Sequence, residues 1–366
     1  MRLLLTIIII LHGLVHLLGF VKAYGLMEIR ELTQPVSKPV GIIWLMGCLL
    51  FILTGIQYLL KNEYWWATAF IALLVSQSLI LFFWQDAKFG TIPNIIILIV
   101  SVIGFGHFDF NRRVHNEINH LLSYQTEQEK SIITPQMMEH LPEPIAKWLN
   151  NAGIMGKEAI HTVYLKQHAW MKMKPKQEQW SKATAEQYFT IKEPSFIWTV
   201  DMQIVPLVDV VGRDKFEDGK GAMLIKILSL IPVVNTQNSE KINTGTLQRY
   251  LGEIVWFPSA ALSPYITWEE IDAHSAKATM TWQGTTGEGI FYFDQAGNFK
   301  KYSAMRYMGG EEDAPLKEWV IEVNESKRMH GINIPVKISA TWKLDEGDWT
   351  WLQLELTEIN YNISEP

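Results

Sequence analysis

Four apolar stretches, at residues 3–21, 40–60, 64–84 and 92–108, constrain this chain more than any other feature. Each approaches the roughly 20 helical residues needed to cross about 30 Å of hydrocarbon, the fourth being the shortest. Segments of this length and polarity are expected as membrane helices, because in lipid every backbone group must find its partner within the segment. The first follows Arg2 but outruns a signal-peptide core, lacks a small-x-small cleavage pattern and precedes three more stretches, so it is read as retained. Lys61, Asn62 and Glu63 leave only a tight turn between the second and third, which predicts an antiparallel hairpin. Trp65, Trp66 and Trp84 fall where interfacial aromatics belong.

Charge divides at the same boundary. Residues 1–110 hold six of the 32 Lys/Arg and five of the 38 Asp/Glu, leaving 26 basic and 33 acidic side chains beyond them. That acidic balance argues against a nucleic-acid partner. The single cysteine, Cys48, excludes an internal disulfide framework and a cysteine-based zinc site. Arg2, Lys61, Arg112 and Arg113 lie on one side of the four spans, and Lys22, Arg30, Lys38 and Lys88 on or near the other. This even count leaves sidedness open; the Arg112-Arg113 pair directly after the last span favours a cytoplasmic C-terminal region at the cell membrane.

His12 and His16 share one stripe of the first span with Gly19 and Ala23. Such a stripe is expected to face other helices, with the histidines as hydrogen-bonding glue; Gln77, at a similar depth on the third span, is an available partner for His16. Haem or metal ligation or a proton relay is the alternative, but two ligands on one helical turn need further donors at that depth. No metal or cofactor is expected.

From Asn111 the sequence turns polar. Residues 115–130 read as a solvated helix or linker, and 145–151 as a short amphipathic helix ending near Gly153. Beyond Gly156 the period is two. Phe196, Trp198, Val200, Met202 and Ile204 alternate with a second set, and so do Ile334, Val336, Ile338, Ala340, Trp342 and Leu344; Ala276 to Trp282 and Trp319 to Val323 repeat the pattern. About ten half-buried antiparallel strands follow, in a meander curved into a half-barrel or barrel. One helix interrupts them over residues 246–255, with Leu247, Leu251, Ile254 and Val255 on its apolar face. The expected architecture is a four-span helical membrane domain (1–110), a polar helical linker (111–155) and a curved antiparallel β domain (156–366).

Eleven of the fifteen tryptophans lie in this second half. Trp198, Trp282, Trp319 and Trp342, with Met202 and Met280, occupy apolar strand faces, a composition that suits an adaptable apolar site. It equally suits an ordinary barrel core. No P-loop, H-E-x-x-H, G-x-S-x-G or strand-linked G-x-G-x-x-G is present. Charges near apolar segments are Arg213, Asp214, Asp218, Arg249, Glu253, Asp272 and Arg306. They read as ion pairs fixing helix to sheet, with Asp218-Gly219 as a hairpin turn. Alternatively, Asp214, Glu253 and Asp272 are acid/base candidates of a hydrolase or isomerase acting on an apolar substrate. Arg249, Glu253 and Trp256 form a second stripe on the helix, expected to close over the sheet, with Trp256 capping the apolar interior.

Several blocks resemble an uncharacterised bacterial family, a domain of unknown function. They are Leu141-Pro142-Glu143-Pro144 with Trp148-Leu149, Gln187-Tyr188-Phe189, Gly212-Arg213-Asp214, Asp218-Gly219-Lys220-Gly221, Trp268-Glu269-Glu270-Ile271-Asp272, Gly331-Ile332-Asn333-Ile334-Pro335 and Asn360-Tyr361-Asn362. Above all there is Arg249-Tyr250-Leu251-Gly252-Glu253-Ile254-Val255-Trp256-Phe257-Pro258. The resemblance covers roughly residues 140–362, implies no established activity or catalytic residues, and favours a cytoplasmic soluble half. Residues 1–110 resemble DoxX-like four-helix membrane domains in layout, and the strand-rich half is similar to half-barrels of the LolA type. The leading expectation is a membrane-anchored protein whose β domain binds a lipid or other apolar small molecule through Trp198, Met202, Arg249, Glu253, Trp256, Met280, Trp282, Arg306, Trp319 and Trp342. The alternatives are the enzyme above, and a redox or transport membrane unit around His12 and His16 with a regulatory β domain.

Overall fold

The computed structural model describes residues 2–123, 130–205 and 208–365. The chain divides into two compact units, Met1–Arg112 and Arg113–Pro366.

The first unit is helical: α1 (Arg2–Val15), α2 (Leu17–Ala23), α3 (Lys38–Leu59), α4 (Trp65–Phe82), the short α5 (Trp84–Ala87) and the first part of α6 (Thr91–Ser123). Four helical stretches are long and apolar enough to cross a membrane: α1 with α2, α3, α4, and Trp84–Ser123. The first is broken at His16, whose N–H bonds Gly13 O at 3.0 Å. Its small-residue stripe faces α3. A Cβ on Gly19 would sit 2.2 Å from the Trp44 ring, and one on Gly41 2.3 Å from Ala23 Cβ, so glycine sets these helix approaches.

The histidines complete a buried network. His16 Nδ1 donates to His12 O at 2.9 Å, which leaves Nε2 to accept from Ser76 Oγ at 3.0 Å. His12 Nε2 donates to Asn94 Oδ1 at 2.8 Å. Asn94 Nδ2 in turn reaches Ser76 Oγ and Gln77 Oε1, both at 3.0 Å. The partner of His16 is therefore Ser76 and not the neighbouring Gln77, which belongs to Asn94 and Thr91.

In the second unit, α6 continues to Ser123, beyond the expected end of the fourth span. Residues 124–129 of the expected helix or linker lie outside the described residues. Helix α7 (Glu143–Ala152) stops at Gly153, whose φ of 78° gives the left-handed cap that glycine accepts readily. Thirteen antiparallel strands follow: β1 (Thr162–Met171), β2 (Ser181–Thr190), β3 (Ser195–Val205), β4 (Val208–Glu217), β5 (Lys220–Ile227), β6 (Ile231–Gln237), β7 (Ile266–Asp272), β8 (Ser275–Trp282), β9 (Thr285–Phe293), β10 (Phe299–Tyr307), β11 (Leu316–Met329), β12 (Ile332–Leu344) and β13 (Gly347–Tyr361). Their order is β6-β5-β4-β3-β2-β1-β13-β12-β11-β10-β9-β8-β7. Two meanders thus join through β1 and β13. The sheet is open, with β6 and β7 as its edges, so full barrel closure does not occur.

The sheet nevertheless curls back on itself. Thr285 Oγ1, at the start of β9, donates to Gly219 O in the β4–β5 turn at 2.6 Å, although nine places in the strand order separate β5 from β9. That turn is the expected Asp218-Gly219 hairpin, both residues at positive φ. The inserted helix α8 (Glu240–Glu253) lies between the converging ends, packing on β4–β6 from one side and β8–β10 from the other. It starts six residues before the expected position, capped by Ser239 Oγ accepting from Ile242 N at 3.3 Å. Short 3-10 turns at Ile254–Trp256 and Pro258–Leu262 return the chain to β7.

Candidate functional site

Strand register places Gln187, Trp198 and Asp214 opposite one another on β2, β3 and β4, all facing the concave side. Asp214 thereby meets Arg249, one turn before the end of α8. Arg249 Nη1 donates to Asp214 Oδ2 at 2.7 Å and Nε to Glu253 Oε1 at 2.9 Å. Gln187 Nε2 donates to the other Glu253 oxygen at 2.8 Å. The Arg249 guanidinium rests over the rings of Trp198 (4.7 Å) and Phe196 (5.0 Å). Burial opposes its charge, but Glu253 and Asp214 outweigh that and hold its pKa above the ordinary value. For Glu253 burial dominates and raises the pKa, with Arg249 pulling the other way.

The opposite wall carries a second arginine. Trp319, Trp342 and Trp349 face one another across β11, β12 and β13, and Ala304 of β10 continues the row. Two residues along from Ala304, Arg306 places its guanidinium 4.1 Å over Trp319 and 5.9 Å from Trp342. It lies beneath Gly245 of α8, where an added Cβ would sit 3.4 Å from Arg306 Nη2. Its Nε is shut off from solvent and has no hydrogen-bond partner. Burial pushes the Arg306 pKa down to about 10, which leaves it charged at neutral pH. Among the described residues no ion pair joins Arg306 to Glu253; its guanidinium stacks on indole faces, and the charges of Asp214 and Glu253 act on it from farther away.

Among the expected site residues, Trp198, Met202, Arg249, Glu253, Arg306, Trp319 and Trp342 all turn to this interior. Met280 is fully buried, and Trp282 packs edge-on against Tyr265 beside the β8–β9 turn. Trp256 sits at the closed end, 1% exposed, its indole donating to Pro335 O at 3.0 Å while Tyr361 Oη donates to Trp256 O at 2.7 Å. It is a core pillar there. Asp272 is not brought to the arginines. It ends β7 on the surface, where its carboxylate accepts from His274 N at 2.8 Å. Arg213 points to the outer face and pairs with Glu117 of α6 at 3.2 Å.

Sequence reasoning missed Gln167, Gln187 and Trp349. Trp198 Nε1 donates to Gln167 Oε1 at 3.3 Å. Gln187 opens the Gln187-Tyr188-Phe189 block without an expected role and Gln167 carries no motif, yet each occupies an inward position of its strand, and a polar residue on an apolar face is the readable signal.

Away from α8, the concave face is apolar and only partly covered. Met202, Ala183, Ala169 and Leu354 form one cross-strand row with Val210 and Ile227. Val200, Ile225, Ile227, Leu344 and Trp349 are half-buried. A separate open cleft of about 470 Å³ lies among Ile133, Met137, His161, Ile191, Lys192 and Ser259, and none of the expected site residues lines it.

No curated protein matches the chain. A solved structure of a LolA superfamily protein from Nitrosomonas europaea is similar over 64% of this chain and 95% of that chain, at 10% identity and a TM-score of 0.32. A family model described as a family of unknown function (DUF6920) matches residues 139–361, which takes in the β sheet and α8 together. That span is more than half of the chain, and the chain belongs to the DUF6920 family.

Proposed function

We propose that the chain is a membrane-anchored binding protein, in which the first unit is a DoxX-like four-span anchor and the β domain holds a lipid or other apolar small molecule on its concave face. The observation that carries this reading is the incomplete cover of an apolar face. Helix α8 packs at the converging edges, while Val200, Ile225, Ile227, Leu344 and Trp349 stay half-buried on the inner side. A soluble domain has no folding reason to keep such a face open, because burying it contributes about 25 cal/mol per Å². Small residues, Ala183, Ala185 and Ala169, keep the side chains of this wall short.

The reading also places the β domain on the cytoplasmic side of the cell membrane, supported by Arg112-Arg113 after the last apolar stretch. A reporter fused after Pro366 is expected to behave as cytoplasmic; strong alkaline-phosphatase activity there reverses the side. The test of binding is lipid analysis of the purified full chain beside Ala183→Trp, which fills the low wall. Lipid retained by the native chain and lost from a variant of unchanged melting temperature supports the proposal; equal lipid content in both contradicts it.

A further inference from the structure

Under α8 the interior holds polar atoms that are shut off from water and that no protein group satisfies. Gln167 and Gln187 are 0% exposed and Asp214 is 4% exposed. Gln167 Nε2, Gln187 Oε1, Asp214 Oδ1 and Arg306 Nε all lack partners. Buried polar groups in a folded interior are normally paired, so several in one region require a complement.

The polarity of this set is fixed by the partners of each group. Trp198 can only donate, so the Gln167 oxygen must face it and the Gln167 amino group is free. Glu253 as a carboxylate only accepts, so Gln187 must present its amino group there and its oxygen is free. Asp214 uses Oδ2 on Arg249 and leaves Oδ1 as an acceptor. Arg306 adds a donor. Gln248 Oε1 on α8 and the indole Nε1 groups of Trp319 and Trp349 are unpartnered as well, so the interior offers three acceptors and four donors, spread over α8, β1, β2, β4, β10, β11 and β13.

That mixture discriminates among head groups. A carboxylate or phosphate only accepts and would meet the free oxygen of Asp214. An ammonium only donates and would meet two guanidinium groups. A hydroxyl both donates and accepts, and neighbouring hydroxyls match an interior of mixed polarity without adding charge.

Building on the apolar-binding reading, we propose that the preferred ligand of this site is an apolar chain with a neutral polyhydroxy head, a glycerol or a sugar. The head hydroxyls bond Gln167, Gln187, Asp214 and Arg306, and the chain runs over the low wall at Ala183 and Met202.

The test uses the full chain in lipid nanodiscs and a diazirine-bearing fatty methyl ester that labels the β domain. Unlabelled competitors of equal chain length are a monoacylglycerol, an alkyl glucoside, a methyl ester and a free fatty acid. The proposal predicts half-displacement by the monoacylglycerol or the glucoside at about tenfold lower concentration than by the methyl ester, the size of one or two net hydrogen bonds. Whichever of the two is stronger identifies the head as glycerol or sugar. Gln167→Met is expected to bring that ratio near one while leaving methyl-ester displacement unchanged; the native comparison stands alone if this variant does not fold. Equal displacement by all heads means that water alone fills the polar interior, and overturns the proposal while leaving apolar binding intact. A fatty acid that outcompetes both overturns it in favour of an anion at Arg306. If nothing displaces the probe, or nothing is labelled, apolar binding itself fails.

Discussion

Arg249 Nη1 lies 2.7 Å from Asp214 Oδ2, and this contact joins the inserted helix to the fourth strand across the concave face of the sheet. Both side chains are nearly shut off from water, 13% and 5% exposed. A buried pair of this kind gains little net stability over an apolar pair, but breaking it leaves a charge stranded. Arg249→Ala strands both Asp214 and Glu253 and is expected to cost about 3–5 kcal/mol. Glu253→Gln keeps Asp214 on Arg249 and is expected to cost clearly less. Denaturation midpoints of the two variants check the order, and a larger loss in Glu253→Gln contradicts it.

Trp256 is held at the closed end by Pro335 and Tyr361. Trp256→Ala therefore is expected to destabilise the β domain by about 3–5 kcal/mol, as a large buried truncation does, and not merely to loosen a ligand. Trp256→Phe keeps most of the packing and gives up one hydrogen bond, about 1 kcal/mol. Thermal melting separates these effects; a Trp256→Ala variant that melts with the native chain refutes the pillar role.

The pattern of what the residues foretell follows from the range of each interaction. Period two along Ser195–Val205 and residues 334–344 is local, and both strands form, the second beginning at Ile332. The i, i+4 pair Arg249 and Glu253 is local too, and it forms. The first turn of α8 was hidden because Asn243, Thr244 and Gly245 look like a loop. Gly245 lies over Arg306, a neighbour from a strand some sixty residues later. Which acid joins Arg249 was equally non-local: register puts Asp214 inward and leaves Asp272 at a surface turn. Closure of a sheet is set by the meeting of distant edges, which no strand encodes alone.

Tyr265 Oη donates to Ile191 O at 2.6 Å, and burial raises its pKa from 10.0 to about 12. The folded state then holds this proton more tightly than the unfolded chain. Its contribution is fully present below pH 10 and is lost as pH rises from 10 to about 12. Tyr265→Phe removes that term, so its loss of melting temperature over this window is expected to be shallower than in the native chain. Parallel curves contradict the assignment. Tyr250 and Tyr302, raised in the same direction by burial, keep some alkaline loss in both.

His16 takes part in a network whose donors and acceptors are matched through Ser76 and Asn94. His16→Ala is expected to weaken packing of the helical unit by about 1 kcal/mol, read as a lower melting temperature in detergent, with no change in visible absorbance. A haem Soret band in the native protein that disappears in this variant refutes the glue role.

The central claim is that an apolar chain lies against the concave face of the β domain, and site-resolved photo-crosslinking measures this directly. A diazirine placed along the alkyl chain of a lipid is activated with the full-length protein in nanodiscs, and the labelled peptides are sequenced. The account predicts labels on inward positions such as Met202, Ala183, Ile225, Leu352 and Trp342 in addition to any within residues 1–112. Labelling confined to residues 1–112, with these inner-face positions untouched, would contradict it.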